Sequence, residues 1–527
     1  MPKILISDKL SPTAVEIFKT RGLDVTYEPD LGKDKEKLLS VIGDYDGLAI
    51  RSATKATEKL IRAATNLKVI GRAGIGVDNI DIKAATAKGI VVMNTPFGNA
   101  ITTAEHAIAM MFSVARQIPQ ASESTHKGEW AKSRFMGTEL TAKTLGLIGC
   151  GNIGSIVATR ALGLKMKVVA YDPFLTPSRA EEIGVEKIDL DQLLSRADFI
   201  TLHTPLTDQT RNILSQENIA KTKKGVRIVN CARGGLIDEE ALKYALDSGQ
   251  VAAAALDVFA VEPAKENPLF GHPNVVCTPH LGAATTEAQE NVALQVAEQM
   301  SDYLLTGAVT NALNMPSVSA TEAPKLKPYL NLAALLGSFA GQLTATGLKE
   351  IEIIYAGAVA GLNIKPLTAT TVAGVLQPML QGVNIVNAPA IAQERGIKIV
   401  ETVTDTAEDF VSTIELRIVT EQRSRAVKGA LFGGTPRIIS VKGVEIEAAF
   451  TEQMLYVTND DKPGFIGALG GLLGEAGINI ATFHLGRNDK GGAMTLVAVD
   501  NPVREETLAK IQALPHVKQA MPLVFDV

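Results

Sequence analysis

The stretch GLIGCGNIGS sets Gly149, Gly151 and Gly154 in G-x-G-x-x-G spacing, directly after an apolar strand-like run and at the mouth of a helical segment. The first glycine permits the turn, the second lets a pyrophosphate approach the backbone, and the third lets helix and strand pack closely. The helix N-terminus adds amide donors and partial positive charge. The next strand, KVVAYDP, ends in Asp172, eighteen residues beyond the last glycine. A carboxylate there accepts hydrogen bonds from both ribose hydroxyls and repels a 2′-phosphate, which points to NAD rather than NADP.

A chain of 527 residues exceeds one hydrophobic core, so several domains are expected. The first 95 residues alternate β-rich runs (KILIS, DVTYEP, GLAIR, LKVIGRAG, IVVMNTP) with helical patterns, the signature of a parallel sheet with crossover helices. FITLHTP, VRIVNCAR, AAALDVF and NVVCTPH follow the glycine motif and imply a second parallel sheet. A helical stretch from about 285 leads into NMPSVSATEAPKLKP, which reads as a linker. Residues 317 to about 450 mix α and β, and the last 75 give the order βαββαβ, a ferredoxin-like pattern.

Net charge of −5 and a pI near 5.9 give no general attraction to nucleic acid or membrane lipid. The start, MPKILISDKL, is too polar for a signal sequence, and no apolar run reaches the ~20 residues of a membrane helix, so a cytoplasmic setting is expected. Cys150, Cys231 and Cys277 lack metal-type spacing and read as small buried hydrophobes; no metal is expected.

Three strand ends carry unusual polar residues: NCARGGLIDEE with Arg233, LDVFAVEP with Asp257 and Glu262, and TPHLGAAT with His280. Carboxyl ends of strands form the ligand crevice of a doubly wound sheet, so these are expected neighbours. Interconverting a 2-hydroxy acid and its 2-oxo acid needs a cation for the carboxylate, a proton carrier for the hydroxyl and a group steadying that carrier. Arg233 offers a bidentate grip, His280 titrates near neutrality, and Glu262 raises the imidazole pKa and fixes its orientation.

GLIGCGNIG with Asp172, NCARGGLIDE, LDVFAVEP and TPHLGAAT resemble the D-2-hydroxyacid dehydrogenase family over about residues 1–312. The resemblance implies an α/β fold of two doubly wound parallel-sheet domains: a substrate domain from 1–96 and 285–316, and a Rossmann nucleotide domain over 97–284. It makes Arg233, Glu262 and His280 the catalytic residues. It adds cofactor contacts at Gly149, Gly151, Asn152, Ile153, Gly154, Asp172, Thr204, Cys231, Ala232, Arg233, Asp257, His280, Leu281, Gly282 and Ala283.

GLAIRSATK and VIGRAGIGVDNID place Arg51 and Arg72 at successive strand ends, and Gly74 and Gly76 expose backbone amides in an anion nest. These stretches resemble the branch of the family that oxidises 3-phospho-D-glycerate to 3-phosphohydroxypyruvate, opening serine synthesis. That implies Arg51 and Arg72 on the phosphate, with Arg233 and the amides near Gly74 on the carboxylate. Trp130, Lys132 and Arg134 fall on an arm that packs across the subunit interface in the family, so a homodimer or homotetramer is expected. Residues 451–527, with DDKPGFIGALGGLLGEAGINIA, look like an ACT domain, and Asn459, Asp461 and Asn479 match positions that bind serine in related enzymes. Residues 317–450 resemble an intervening regulatory domain. A glyoxylate or hydroxypyruvate reductase of the same family, or a non-enzymatic NAD(H)-sensing corepressor, stays open at this point.

Overall fold

The computed structural model describes residues 1–319, 321–344, 347–407, 409–489 and 491–527. In the first sheet five parallel strands lie in the order Asp24–Tyr27, Lys3–Ile6, Gly47–Ile50, Val69–Arg72, Val91–Met93. Ile4, Leu5 and Ile6 are all buried, because helices cover both faces of a parallel sheet. Ile4 and Ile6 join one cluster with Val292, Val296 and Met300, while Leu5 joins another with Leu38 and Ile61. The late helix Thr286–Thr306 thus returns to the first sheet, so this domain draws on two stretches of chain that flank the second sheet.

The second sheet has seven parallel strands, ordered Val275–Cys277, Val251–Leu256, Val226–Asn230, Phe199–Leu202, Thr144–Ile148, Lys167–Tyr171, Glu186–Lys187. The order reverses at Thr144–Ile148, which puts the ligand crevice beyond that strand's carboxyl end. Helix Ala100–Arg116 crosses from the first sheet and packs on the second through Ala104, Ala107 and Met110. That helix ends where Gln117 adopts φ 52°, and Ile118–His126 starts anew.

The expected linker is shorter than its composition suggests. Helix Ala323–Gln342 begins inside it and carries Pro328 within, while Val309 and Val318 form an antiparallel bridge. A six-stranded mixed sheet follows, then a four-stranded antiparallel sheet in the order Ile480–Arg487, Gly492–Val499, Gln453–Asp460, Val517–Val524. Successive residues of the Gln453–Asp460 strand face opposite ways. Met454 and Tyr456 enter the core of the six-stranded sheet, while Leu455 and Val457 pack with Leu469 and Leu473 of the tail's own helix. The last two units therefore share one core, where each fully buried large side chain contributes about 1.5–3 kcal/mol. This half is tied to the domain of the first sheet by Asn387, whose buried Nδ2 donates to the Ala87 carbonyl at 2.9 Å. Among the described residues no helix is long and apolar enough to cross a membrane.

Cys150 and Cys231 are buried as expected, but Cys277 is exposed. Its strand forms one edge of the nucleotide sheet.

Candidate active site

The glycine loop leaves strand Thr144–Ile148 and opens helix Asn152–Gly163. Gly149 takes φ 95°, and a Cβ there would press on the His203 carbonyl and the Thr204 amide, which bring Thr204 against the loop. A Cβ on Gly154 would overlap the Gly149 carbonyl, whereas one on Gly151 would meet nothing within 4 Å. Gly151 is the N-cap and supplies no side-chain acceptor, so among the described residues the first amides of the helix, at Asn152 and Ile153, have no partner. That is the cradle a pyrophosphate needs. Asp172 sits beside it, with Oδ2 accepting from the Cys150 amide and Oδ1 from the Phe174 amide, both at 2.8 Å. Each oxygen keeps lone-pair capacity for a ribose hydroxyl. The residues fit an NAD dinucleotide.

The register pairs Asn230 with Leu256 and Leu256 with Cys277, so the segments after these three strands emerge side by side. His280 Nδ1 lies 2.7 Å from Glu262 Oε2, and Glu262 Oε1 accepts from the Phe259 amide at 3.0 Å. The hydrogen bond His280 donates to Glu262 raises the histidine pKa above that of a free imidazole, against the opposing effect of burial. Burial pushes Glu262 up, but its bonds to His280 and to the Phe259 amide outweigh this and leave it below the usual carboxylate range. The His280 side chain is 52% exposed, and among the described residues Nε2 takes no hydrogen bond. His203 is the opposite case, since desolvation lowers its pKa to about 4.

His280 adopts φ 57°, a left-handed conformation that costs a non-glycine residue free energy. Asp257 sustains it. Its carbonyl accepts from the His280 amide at 2.9 Å, Oδ1 accepts from the Leu281 amide at 2.7 Å, and Oδ2 accepts from the Gly282 amide at 2.8 Å. Burial would raise the Asp257 pKa, yet hydrogen bonds from His106, Thr278 and Leu281 hold it low. Asp257, read from sequence as a cofactor contact, has its carboxylate engaged in building the turn of Leu281, Gly282 and Ala283. His106 was not foreseen; it lies 3.3 Å from both Asp257 Oδ1 and Thr278 Oγ1. Cys231 is buried near this pair, and burial pushes its thiol pKa up.

Arg233 reaches out of the nucleotide domain. Its Nε donates to Asp78 Oδ2 at 2.9 Å and its Nη1 to the Ala232 carbonyl at 2.7 Å, while Asn230 holds the Ala232 amide and the Arg233 carbonyl. Across the cleft, register pairs Ile50 with Arg72, so Arg51 and Arg72 leave neighbouring strand ends. Arg72 donates from Nε to Asn79 Oδ1 at 3.1 Å. Burial, with Arg233 and Arg51 nearby, lowers its pKa to about 10. The three arginines form one cationic wall suited to a dianion. Arg51 is the loosest of them, with Nη1 donating to the Lys9 carbonyl at 3.2 Å.

The expectation for Gly74 needs correction. Its amide donates to Thr95 Oγ1 at 2.7 Å and is consumed there. Among the described residues no acceptor takes the amides of Ile75 and Gly76, and Gly76, expected with Gly74 to face an anion, lies against the Arg233 guanidinium. Asp78 and Asn79 were also missed. Their signal was present: two adjacent polar residues just past the glycines of GIGVDNID, after Val77.

The effector residues do not meet within one chain. Asp460 pairs with Gly492 and Ile480 with Val499, so Asn459 and Asp461 lie at one end of the sheet and Asn479 at the other, roughly 20 Å away. Asn479 Nδ2 donates to Asp500 Oδ2 at 2.7 Å, and Asp461 pairs with Arg487 at 3.1 Å. The strand order that makes the fold ferredoxin-like enforces this separation.

Residues 108–282 match the family model of the D-isomer specific 2-hydroxyacid dehydrogenase NAD binding domain, 325–442 the D-3-phosphoglycerate dehydrogenase intervening domain, and 453–516 the ACT domain. A D-3-phosphoglycerate dehydrogenase of Synechocystis sp. is 43% identical, covering 99% of this chain and 94% of that protein. The one from Methanocaldococcus jannaschii is 43% identical over 98% of this chain and 99% of its own length. Among solved structures, a glyoxylate reductase from Paecilomyes thermophila aligns with TM-score 0.56 and 32% identity, covering 59% of this chain and 98% of that one. D-lactate dehydrogenase from Aquifex aeolicus, complexed with NAD and lactic acid, aligns with TM-score 0.53 and 28% identity over 60% of this chain and all of that one.

Proposed function

The chain belongs to the D-3-phosphoglycerate dehydrogenase family, and from that premise we propose that it oxidises 3-phospho-D-glycerate to 3-phosphohydroxypyruvate with NAD, the first step of serine synthesis. It is an NAD-dependent dehydrogenase. The observation that carries the substrate is the cluster of Arg51, Arg72 and Arg233, of which Arg233 lies close enough to His280 to act on its charge. A small unphosphorylated 2-oxo acid would leave Arg51 and Arg72 without a task, which disfavours a glyoxylate reductase. A dinucleotide sensor would need neither the wall nor the tail.

Arg233 and the Ile75 and Gly76 amides hold the substrate carboxylate, and Arg72 and Arg51 take the phosphate. Neutral His280 accepts the 2-hydroxyl proton at Nε2 while Nδ1 stays bonded to Glu262, whose negative charge stabilises the imidazolium that forms. Bound NAD supplies the hydride acceptor for C2. The balance is one hydroxyl group converted to a ketone, one hydride gained by NAD, and one proton released through His280. Gly151, Asn152 and Ile153 bind the pyrophosphate and Asp172 the ribose.

The ACT domain makes this an effector-regulated enzyme, with serine as the ligand. Its site is completed by a second copy of the chain, Asn459 and Asp461 from one and Asn479 from the other, so the active form is a homodimer or larger. The test is NAD reduction at alkaline pH with 3-phosphoglycerate, glycerate and lactate, with and without serine. Turnover confined to 3-phosphoglycerate and lowered by serine is expected; preference for an unphosphorylated acid overturns the assignment.

A further inference from the structure

Gly76, Asp78 and Arg233 meet across the cleft, although 155 residues separate the ion-paired partners. A Cβ on Gly76 would overlap Arg233 Nη2 and sit 3.2 Å from Asp78 Oδ2. Gly76 therefore leaves the space the guanidinium occupies. Two of the three guanidinium nitrogens are engaged, Nε by Asp78 and Nη1 by the Ala232 carbonyl; among the described residues Nη2 has no acceptor, and it lies against the Gly76 backbone. The Asp78 side chain is 70% exposed, and an ion pair that open contributes little to stability. Its effect lies elsewhere: a planar guanidinium bound at Nε is fixed in rotation as well as in place. Asp78 also carries the negative charge between Arg233 and Arg72, two cations that otherwise repel.

We propose that Asp78 is a positioning residue, reaching from the substrate domain to orient the Arg233 guanidinium so that Nη2 and the Ile75–Gly76 amides converge on the substrate carboxylate. This deepens the functional reading above and rests on it for the identity of that substrate.

The test uses full-length Asp78→Asn and Asp78→Glu variants, with NADH binding followed by fluorescence to confirm an intact nucleotide domain. Two probes separate the ends of the site: oxamate carries the carboxylate without the phosphate, and glycerol 3-phosphate carries the phosphate without the carboxylate. In Asp78→Asn, KM for 3-phosphoglycerate should rise about tenfold with kcat within about threefold. The oxamate inhibition constant should rise in parallel and that of glycerol 3-phosphate should hold, with Asp78→Glu recovering part of the loss. An unchanged KM, or tighter oxamate binding, would show that Asp78 merely competes with substrate and overturns the proposal. Equal weakening of both probes would mean a collapsed loop and overturns it too. If the wild type does not oxidise 3-phosphoglycerate, the functional reading fails separately, and oxamate binding to the NADH complex still decides the role of Asp78.

Discussion

Glu262 Oε2 stands 2.7 Å from His280 Nδ1, and the histidine backbone is held left-handed at φ 57° by three bonds to Asp257. Orientation of the ring and conformation of the chain beneath it come from two different carboxylates. Glu262 is partly open to solvent, whereas Asp257 is fully buried. The exposed one tunes the proton affinity and the buried one builds the turn.

Replacing His280 with Gln removes the proton acceptor but leaves the glycine loop untouched. The expected result is a fall in kcat of about 10²–10⁴-fold with NADH affinity retained, measured by steady-state kinetics and fluorescence titration. Loss of NADH binding together with activity would assign His280 a structural role instead.

Gly151→Ala and Gly154→Ala should part company. A Cβ at 151 meets open protein space and one at 154 overlaps the Gly149 carbonyl. Thermal unfolding should find Gly151→Ala near wild type but weak in NAD binding. Gly154→Ala should lose about 1–3 kcal/mol of stability as well.

Asp172→Ala removes a charged acceptor from both ribose hydroxyls and frees the 2′ position. NAD affinity should fall about 10- to 100-fold, consistent with about 1.5–3 kcal/mol for a charge-assisted bond, while NADP affinity should rise. Equal losses for both cofactors would place Asp172 in structure alone, through its bonds to the Cys150 and Phe174 amides.

The separation of Asn459 from Asn479 makes a sharp expectation for regulation. Asn459→Ala and Asn479→Ala should each abolish inhibition by serine. Co-assembled subunits carrying one change each should regain part of it, because one interface site then keeps both asparagines. Mixed assemblies as insensitive as the parents would contradict a shared site.

The strand-to-helix turn of the glycine loop and the pairing of Glu262 with His280 were legible because each lies in a short motif that follows a strand. The doubly wound sheets were legible for the same reason, since apolar runs and turns alternate regularly. What escaped depends on partners distant in sequence. Thr95 consumes the Gly74 amide from 21 residues away, and His106 reaches Asp257 from a helix that belongs to another stretch. Composition marked the segment 314–328 as a linker, yet tertiary packing carries a helix through Pro328. Cys277 looked buried from its apolar neighbours, and only the strand order reveals it at an edge.

The central claim is that a glutamate-tuned histidine moves the proton, and it is tested most directly by the pH dependence of kcat/KM for 3-phosphoglycerate oxidation in wild type and Glu262→Gln. Oxidation needs neutral His280, so the rate should rise with pH through a pKa above the 6.5 of a free imidazole. Glu262→Gln keeps an acceptor for Nδ1–H but removes the charge, so its rising limb should move to lower pH, with reduced activity on the plateau. A limb in the same place in both enzymes, or no limb at all, would contradict the account.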